Sequence, residues 1–298
     1  MDEPIRSFQN PRVKQAQRLR QAGGRRDSGL MVIDGQREIR QAILGGIDIQ
    51  TLFVLEDAAP WWEEVGLSRD QLTAESLAEL DRRVVAVTAP ILEKLAYGER
   101  AETVIAVGRQ PAVSLASLQP RWSPRAATPA DGLVLVLDRV EKPGNLGAIL
   151  RTADAVAVSA VLLSDPICEI WNPNAIRASL GAIFRLPLAV ASAEQCVAWL
   201  EQQRCQILTA RVDAAADYRQ AQWPKRTALV VGNEAEGLGN FWRQPAFAGV
   251  RLPMQGTVDS LNVSVSTAIL LYHAAATLDW LRLPESLPPR KGYGIVDL

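Results

Sequence analysis

A chain of 298 residues, 48% hydrophobic and 22% charged, has room for two domains of ordinary size and the composition of a soluble globular protein. Its net charge of −1 gives overall balance no say on nucleic acid. No run of about 18 apolar residues escapes polar interruption, and MDEPIRSFQNPRVK has no apolar core, so neither a membrane span nor a signal peptide is expected.

Cys168, Cys196 and Cys205 share no CxxC spacing, which argues against a disulfide framework and against a zinc site; no metal is expected, and the cytoplasm is the expected compartment. The single histidine, His273, sits in the apolar run AILLYHAAATL and reads as a packed or interface residue. A triad hydrolase or a multi-histidine metal enzyme is thereby disfavoured. Chemistry is left to Arg, Glu, Asn and Ser.

In chain order, residues 11–22 (PRVKQAQRLRQA) predict a basic helix stopped by Gly23-Gly24. Seven basic residues lie between Pro4 and Arg26 with no acid among them, and Arg12, Lys14, Arg18 and Arg20 are the candidate phosphate contacts. Strands follow at LMVID (30–34), QTLFVL (50–55), RRVVAVT (82–88) and TVIAVG (103–108), with helices over 37–46 and 90–96. This alternation predicts a small α/β sandwich. Residues 109–131 hold four prolines and little periodicity, and read as a linker.

The second half alternates more strongly. LVLVLD (133–138) has the continuous apolar run of a strand buried on both faces of a parallel sheet. A helix over 146–156, capped by Asn145, leads to a strand at AVLLSD (160–165). FRLPLAVA (184–191), a helix over 194–203, CQILTARV (205–212), TALVVGN (227–233) and GVRLPM (249–254) come next. The last segment, 260–282, predicts a long helix with no basic residue before Arg282 and Asp279 as its only acid. Such a helix needs cover on more than one side, and a second subunit is the simplest cover.

Three motifs carry candidate chemistry. N-L-G-A-I-L-R-T-A-D (145–154) follows a strand and loop, placing Asn145 and Arg151 toward the C-terminal edge of a sheet, where α/β clefts lie. L-V-V-G-N-E-A-E-G-L (229–238) ends a buried strand in Gly232-Asn233-Glu234, a glycine that admits close approach of a ligand beside polar groups. R-L-P-M-Q-G-T-V-D-S-L-N-V-S-V-S (251–266) enters a loop before Ser260 and Asn262 open the long helix. Neither GxGxxG nor GxxxxGK[ST] occurs, so dinucleotide and triphosphate readings lack a motif.

Together and in this order, the three motifs resemble the signatures of the SpoU/TrmH group of SPOUT RNA methyltransferases, over residues 132–282. SFQNPRVK, LMVIDGQREIRQAI and VIAVG resemble the RNA-binding extension that precedes the catalytic domain in ribosomal-RNA members. The 23S rRNA 2′-O-methyltransferase branch is the most similar.

The resemblance implies an α/β chain with an RNA substrate-binding domain (1–110), a linker (111–131) and a SPOUT domain (132–298) with a parallel sheet and a C-terminal trefoil knot. It implies a homodimer through the last helix and S-adenosylmethionine as methyl donor. The donor would lie against Thr209, Ala210, Gly232, Leu252, Met254 and Leu261. Asn145, Arg151, Glu234, Ser260 and Asn262 would surround the ribose and its phosphate. A guanidinium is protonated at neutral pH, so Arg151 suits phosphate binding and charge stabilisation better than proton abstraction. The same motifs would serve tRNA methylation or resistance-conferring rRNA methylation; a non-catalytic RNA-binding assembly factor is the reading outside the enzymes.

Overall fold

The computed structural model describes residues 3–96, 102–122, 131–279 and 281. Pro11 and the Asn10 side chain, which accepts from the Arg12 amide, open α1 (Pro11–Arg18). The expected stop at Gly23-Gly24 is not observed, because both glycines lie inside α2 (Ala22–Ser28). A Cβ on Gly24 would stand 2.2 Å from the Arg18 carbonyl oxygen, so this glycine lets α2 tuck against the end of α1.

The four predicted strands form: β1 (Leu30–Asp34), then α3 (Gln36–Leu44), and β2 (Ile49–Leu55). Two helices follow that the sequence pattern did not suggest, α4 (Trp61–Glu64) and α5 (Ala74–Asp81), each burying a single side chain, Trp61 and Leu77. Next come β3 (Val84–Val87), α6 (Ala89–Leu95) and β4 (Val104–Arg109). They build one sheet in the order β1-β4-β2-β3, parallel between β2 and β3 and antiparallel elsewhere.

The second sheet starts with β5 (Gly132–Asp138), α7 (Pro143–Ala155), β6 (Ala160–Ser164), α8 (Pro173–Ala178), β7 (Leu188–Ala191) and α9 (Ala193–Gln202). It continues through β8 (Gln206–Ala210), β9 (Ala216–Asp217), β10 (Arg226–Val231), β11 (Ala248–Arg251) and α10 (Val263–Thr277). Its order is β7-β6-β5-β10-β8-β11-β9, with every ladder parallel.

All of β5 is buried, as its unbroken apolar run predicts. Leu133, Leu135 and Leu137 join an apolar cluster with α7 and α10, whereas Val134 and Val136 join another with α9. Among the described residues, no helix is long and apolar enough to cross a membrane.

Three local expectations change. Asn145 is not a cap: Pro143 takes the first helical position, so α7 starts earlier and Asn145 falls in its first turn. Within FRLPLAVA only Leu188–Ala191 is a strand, because Pro187 has no N–H for the ladder and Ala182–Phe184 forms a 3-10 turn. The last helix runs only from Val263 to Thr277, with the Asn262 side chain accepting from the Ser264 amide. Trp280 and Arg282, within the longer expected helix, lie outside the described residues.

The proline-rich segment has no helix or strand over 111–122, yet it is strapped to the second sheet. Val113 accepts from the Val190 amide, the Arg121 amide donates to Ser159, and Leu118 is buried. Trp122 stacks on Trp199 with centroids 6.5 Å apart, and the Arg226 guanidinium lies over the Trp122 ring, 4.4 Å from its centroid. Residues 123–130 of the expected linker lie outside the described residues. The two sheets are also joined directly. Met31, Ile33 and Ile39 share one apolar cluster with α7 and α8, and Arg177 pairs with Asp34 at 2.9 Å.

Candidate active site

Parallel strands deliver their following loops to one edge. The loops after β5, β8, β10 and β11 therefore meet at the C-terminal edge, where the chain changes direction between β5 and β10. A cavity of about 310 Å³ opens there. Its walls include Ala210, Gly232, Leu252, Met254 and Leu261, the residues expected for a donor. Thr209 is not among them. Successive side chains on a strand point to opposite faces, and the buried Thr209 hydroxyl instead donates to the Ala248 carbonyl, tying β8 to β11.

Beside the cavity the three motifs are joined by hydrogen bonds. Asn145 Nδ2 donates to Glu234 Oε1 at 2.9 Å, and Asn262 Nδ2 donates to Asn145 Oδ1 at 3.2 Å. The other Glu234 partners are the amides of Glu141 and Lys142, at 3.3 and 3.2 Å, in the loop after β5. Ser260 is exposed on the cavity wall two residues before the Asn262 cap.

Partial burial pushes the Glu234 carboxyl up, but the hydrogen bonds from Asn145 and from the backbone outweigh it and leave the group below its usual range. A depressed carboxylate contributes fully above its unfolded value and loses that contribution only as pH falls through the folded one. Glu234 thus holds the cluster as an anion at neutral pH. Glu234→Ala is expected to lower turnover by about 100-fold with a stability loss of about 1 kcal/mol, because water replaces the lost acceptor at this half-exposed site. An acid limb of the pH–rate profile placed between pH 6 and 8, and abolished by Glu234→Gln, would contradict this role.

The Gly-Asn-Glu turn has a different internal logic from the one its sequence suggests. Asn233 is buried; its Oδ1 accepts from the Ala235 and Glu236 amides and its Nδ2 donates to the Arg139 carbonyl. Asn233 and Gly237 exchange both backbone hydrogen bonds, with Gly237 left-handed at φ +67. Gly232 lies under this closed turn, where an added Cβ would meet the Gly237 carbonyl carbon at 2.3 Å. Its smallness serves the turn first. The glycine of the first motif, Gly147, answers likewise to packing: a Cβ there would stand 2.5 Å from the Ala178 Cβ of α8.

Arg151 is exposed on α7, outside the cavity lining and without a hydrogen-bond or ion-pair partner among the described residues. At the other end of the chain, Arg12, Lys14 and Arg18 line a groove between α1 and α2, while Arg20 turns away and donates to the Lys94 carbonyl. His273 is half-buried against Tyr218 and Trp223, with centroids 4.8 and 5.6 Å away, as a packed histidine should be. Sequence reasoning missed Arg139, which pairs with Glu236 at 2.9 Å, and Arg243, which lines the cavity and pairs with Asp213. Neither stands in a motif, and only the meeting of distant loops reveals them.

A cofactor-sized, largely apolar cavity at the switch point of a parallel sheet, with a bonded polar cluster at its mouth, defines an α/β enzyme site. Residues 132–272 match the family model described as SpoU rRNA Methylase family, and residues 10–106 match the MRM3-like substrate binding domain. The 23S rRNA (guanosine-2′-O-)-methyltransferase RlmB of Bordetella pertussis is 32% identical over 69% of this chain and 83% of its own length. The 23S rRNA (guanosine(2553)-2′-O)-methyltransferase RlmP of Bacillus subtilis is 27% identical over 90% of this chain and 98% of its own. The AdoMet-bound rRNA methyltransferase from Sinorhizobium meliloti superimposes with a TM-score of 0.79 at 27% identity, covering 93% and 98% of the two chains. The chain belongs to the SpoU rRNA methylase family, and its α/β fold with a parallel sheet is that of the family's solved structures.

Proposed function

We propose that this chain moves a methyl group from S-adenosylmethionine to a ribose 2′-hydroxyl of 23S rRNA, as a cytoplasmic homodimer. The observation that carries the reading is the Asn145–Glu234–Asn262 cluster at the mouth of the cavity. Polar residues from all three motifs are kept and bonded together, which disfavours a binding-only assembly factor.

The cavity suits the donor. Leu252, Met254, Leu261 and Leu270 offer apolar walls for a flat base, and the carboxylates of Glu234 and Asp259 suit a nearby cation. When bound, the sulfonium supplies an electrophilic methyl group. The protein's part is to hold and align the ribose hydroxyl, through Asn145, Ser260 and Asn262, and to keep the neighbouring phosphate on Arg151. The proton leaves to that phosphate or to water. After β11 the chain returns past the ends of β8 and β10 to reach α10, which packs on α7 and β10; a trefoil knot threaded by this return belongs to the same proposal.

The test is to incubate the protein with labelled donor and an unmodified 23S rRNA transcript, and to map the labelled ribose. One 2′-O-methylated nucleotide is expected; label confined to tRNA in a total-RNA control would overturn the substrate. Replacing Arg12, Lys14 and Arg18 with glutamine should weaken RNA binding and flatten its log–log salt slope by at most about one unit per lost contact, with donor affinity unmoved.

The dimer has its own support. On α10, Val265, Ile269 and Tyr272 form one stripe, 47, 37 and 47% exposed, on a helix without a single charge. Val263, Ser266 and Leu270 of the same helix line the cavity. Ala275 is fully buried within its own chain, so a charge there would disturb the core instead of an interface. Ile269→Glu is expected to turn the dimer into a monomer at micromolar concentration and to weaken donor binding along with it. Light scattering paired with calorimetry checks both. A fully active monomer of the unaltered protein would remove the subunit interface from the proposal.

A further inference from the structure

Arg25 is the only arginine among the described residues buried to 1% exposure, and it stands at the junction of the two halves. Its guanidinium grips Glu169 with two bonds, Nε to Oε1 and Nη2 to Oε2, each 2.6 Å. The remaining nitrogen, Nη1, donates to the Leu19 carbonyl at 2.6 Å, and Leu19 forms part of the basic groove between α1 and α2. On the other side, the Ile167 and Cys168 amides, immediately before Glu169, both donate to the Val140 carbonyl at 3.0 Å. The next two amides, of Glu141 and Lys142, are those that hold Glu234. A continuous bonded path thus runs from the basic groove to the motif cluster.

Stability alone does not account for this pair. Burying a guanidinium removes its hydration, and an apolar pair of similar volume is often as stable or more so. What a bidentate fork adds is a fixed orientation. We infer that the Arg25–Glu169 pair is a positioning clamp, which sets the loop at 139–142 and hence Glu234 in register with RNA seated on the N-terminal half. The inference deepens the RNA-methyltransferase reading and rests on it.

Arg25→Met and Glu169→Gln, made singly and together in the full chain, test the clamp against an unmodified 23S rRNA transcript. Each single change should lower kcat at saturating RNA by about tenfold or more, with RNA and donor affinities held within about twofold. The double variant should be no worse than the poorer single, because both remove one interaction. Arg25→Lys, which keeps the charge and loses the fork, should fall between Arg25→Met and the unaltered protein. Without RNA, hydrogen exchange at the Glu141 and Lys142 amides should quicken by about tenfold in each single variant, while the β5–β10 ladder stays protected.

Unchanged kcat overturns the clamp, whatever the exchange shows. A loss carried wholly by RNA affinity also overturns it, since Arg25 would then only wall the groove. If Arg25→Met fails to fold, the nearly isosteric Glu169→Gln decides alone. If the unaltered protein leaves the transcript unmethylated, the substrate reading fails, and the exchange measurement then decides the clamp by itself.

Discussion

Arg151→Ala is expected to cut turnover by about 10³-fold while leaving donor affinity within about twofold. The side chain is exposed and makes no bond to the described residues, so its removal leaves no buried group unsatisfied. Stability should move by no more than about 0.5 kcal/mol, as for other surface changes away from packed features. The loss then reports on the reaction and not on the fold. It is also separate from the donor cavity, whose lining does not include Arg151.

Arg151→Lys sharpens the test. A lysine keeps the positive charge but presents a point donor in place of a planar fork, which serves a phosphate less well when two oxygens must be held. Most of the activity should therefore be lost in this variant too. Near-normal single-turnover rates for the lysine enzyme would show that charge alone suffices and that the fork is dispensable.

Gly232→Ala is expected to weaken donor binding by at least about 100-fold, the cost of shifting a recognition loop by an ångström or so. The added methyl would face backbone, not a yielding side chain: the Gly237 carbonyl carbon at 2.3 Å and the Leu238 nitrogen at 2.4 Å. Relief requires the 233–237 turn to lift, breaking the Asn233–Gly237 pair and the Asn233 bonds that hold it shut. Residues 232–238 form one wall of the cavity, so the wall moves with the turn. Overpacking of this kind costs about 1–3 kcal/mol, and a fall in Tm should accompany the lost binding. Donor binding by calorimetry at unaltered affinity would mean that the turn opens without disturbing the cavity.

The division between what could be read along the chain and what could not follows from the range of the forces concerned. Strand and helix periodicity is local, and the four N-terminal strands and the unbroken β5 run were legible from neighbours a few positions apart. The resemblance to the SpoU/TrmH signatures, in turn, implied Asn145, Arg151, Glu234, Ser260 and Asn262 as one candidate site, three of which are bonded to one another. The structure joins Asn145 to Glu234 and to Asn262 across 89 and 117 residues of sequence through two hydrogen bonds.

What stayed hidden depends on surfaces meeting. The reason for Gly24, Gly147 and Gly232 is the approach of backbone or packed helix from elsewhere, which no local pattern records. Pro143 moved the start of α7 and took the cap away from Asn145, although the change left Asn145 facing Glu234. Thr209 and Ala210 are adjacent in sequence but opposite in space, so only the pleat decided which of them lines the cavity.

By itself, then, the amino-acid sequence determined the α/β class, the three motifs and the charge-poor last helix, because these rest on periodicity and residue chemistry along the chain. Only the tertiary structure decided that the proline-rich segment is strapped to a sheet, that Ala275 is core while Ile269 faces outward, and that Arg25 reaches Glu169. Each of those depends on which side chains lose their water when distant segments pack, and desolvation is a property of the assembled surface.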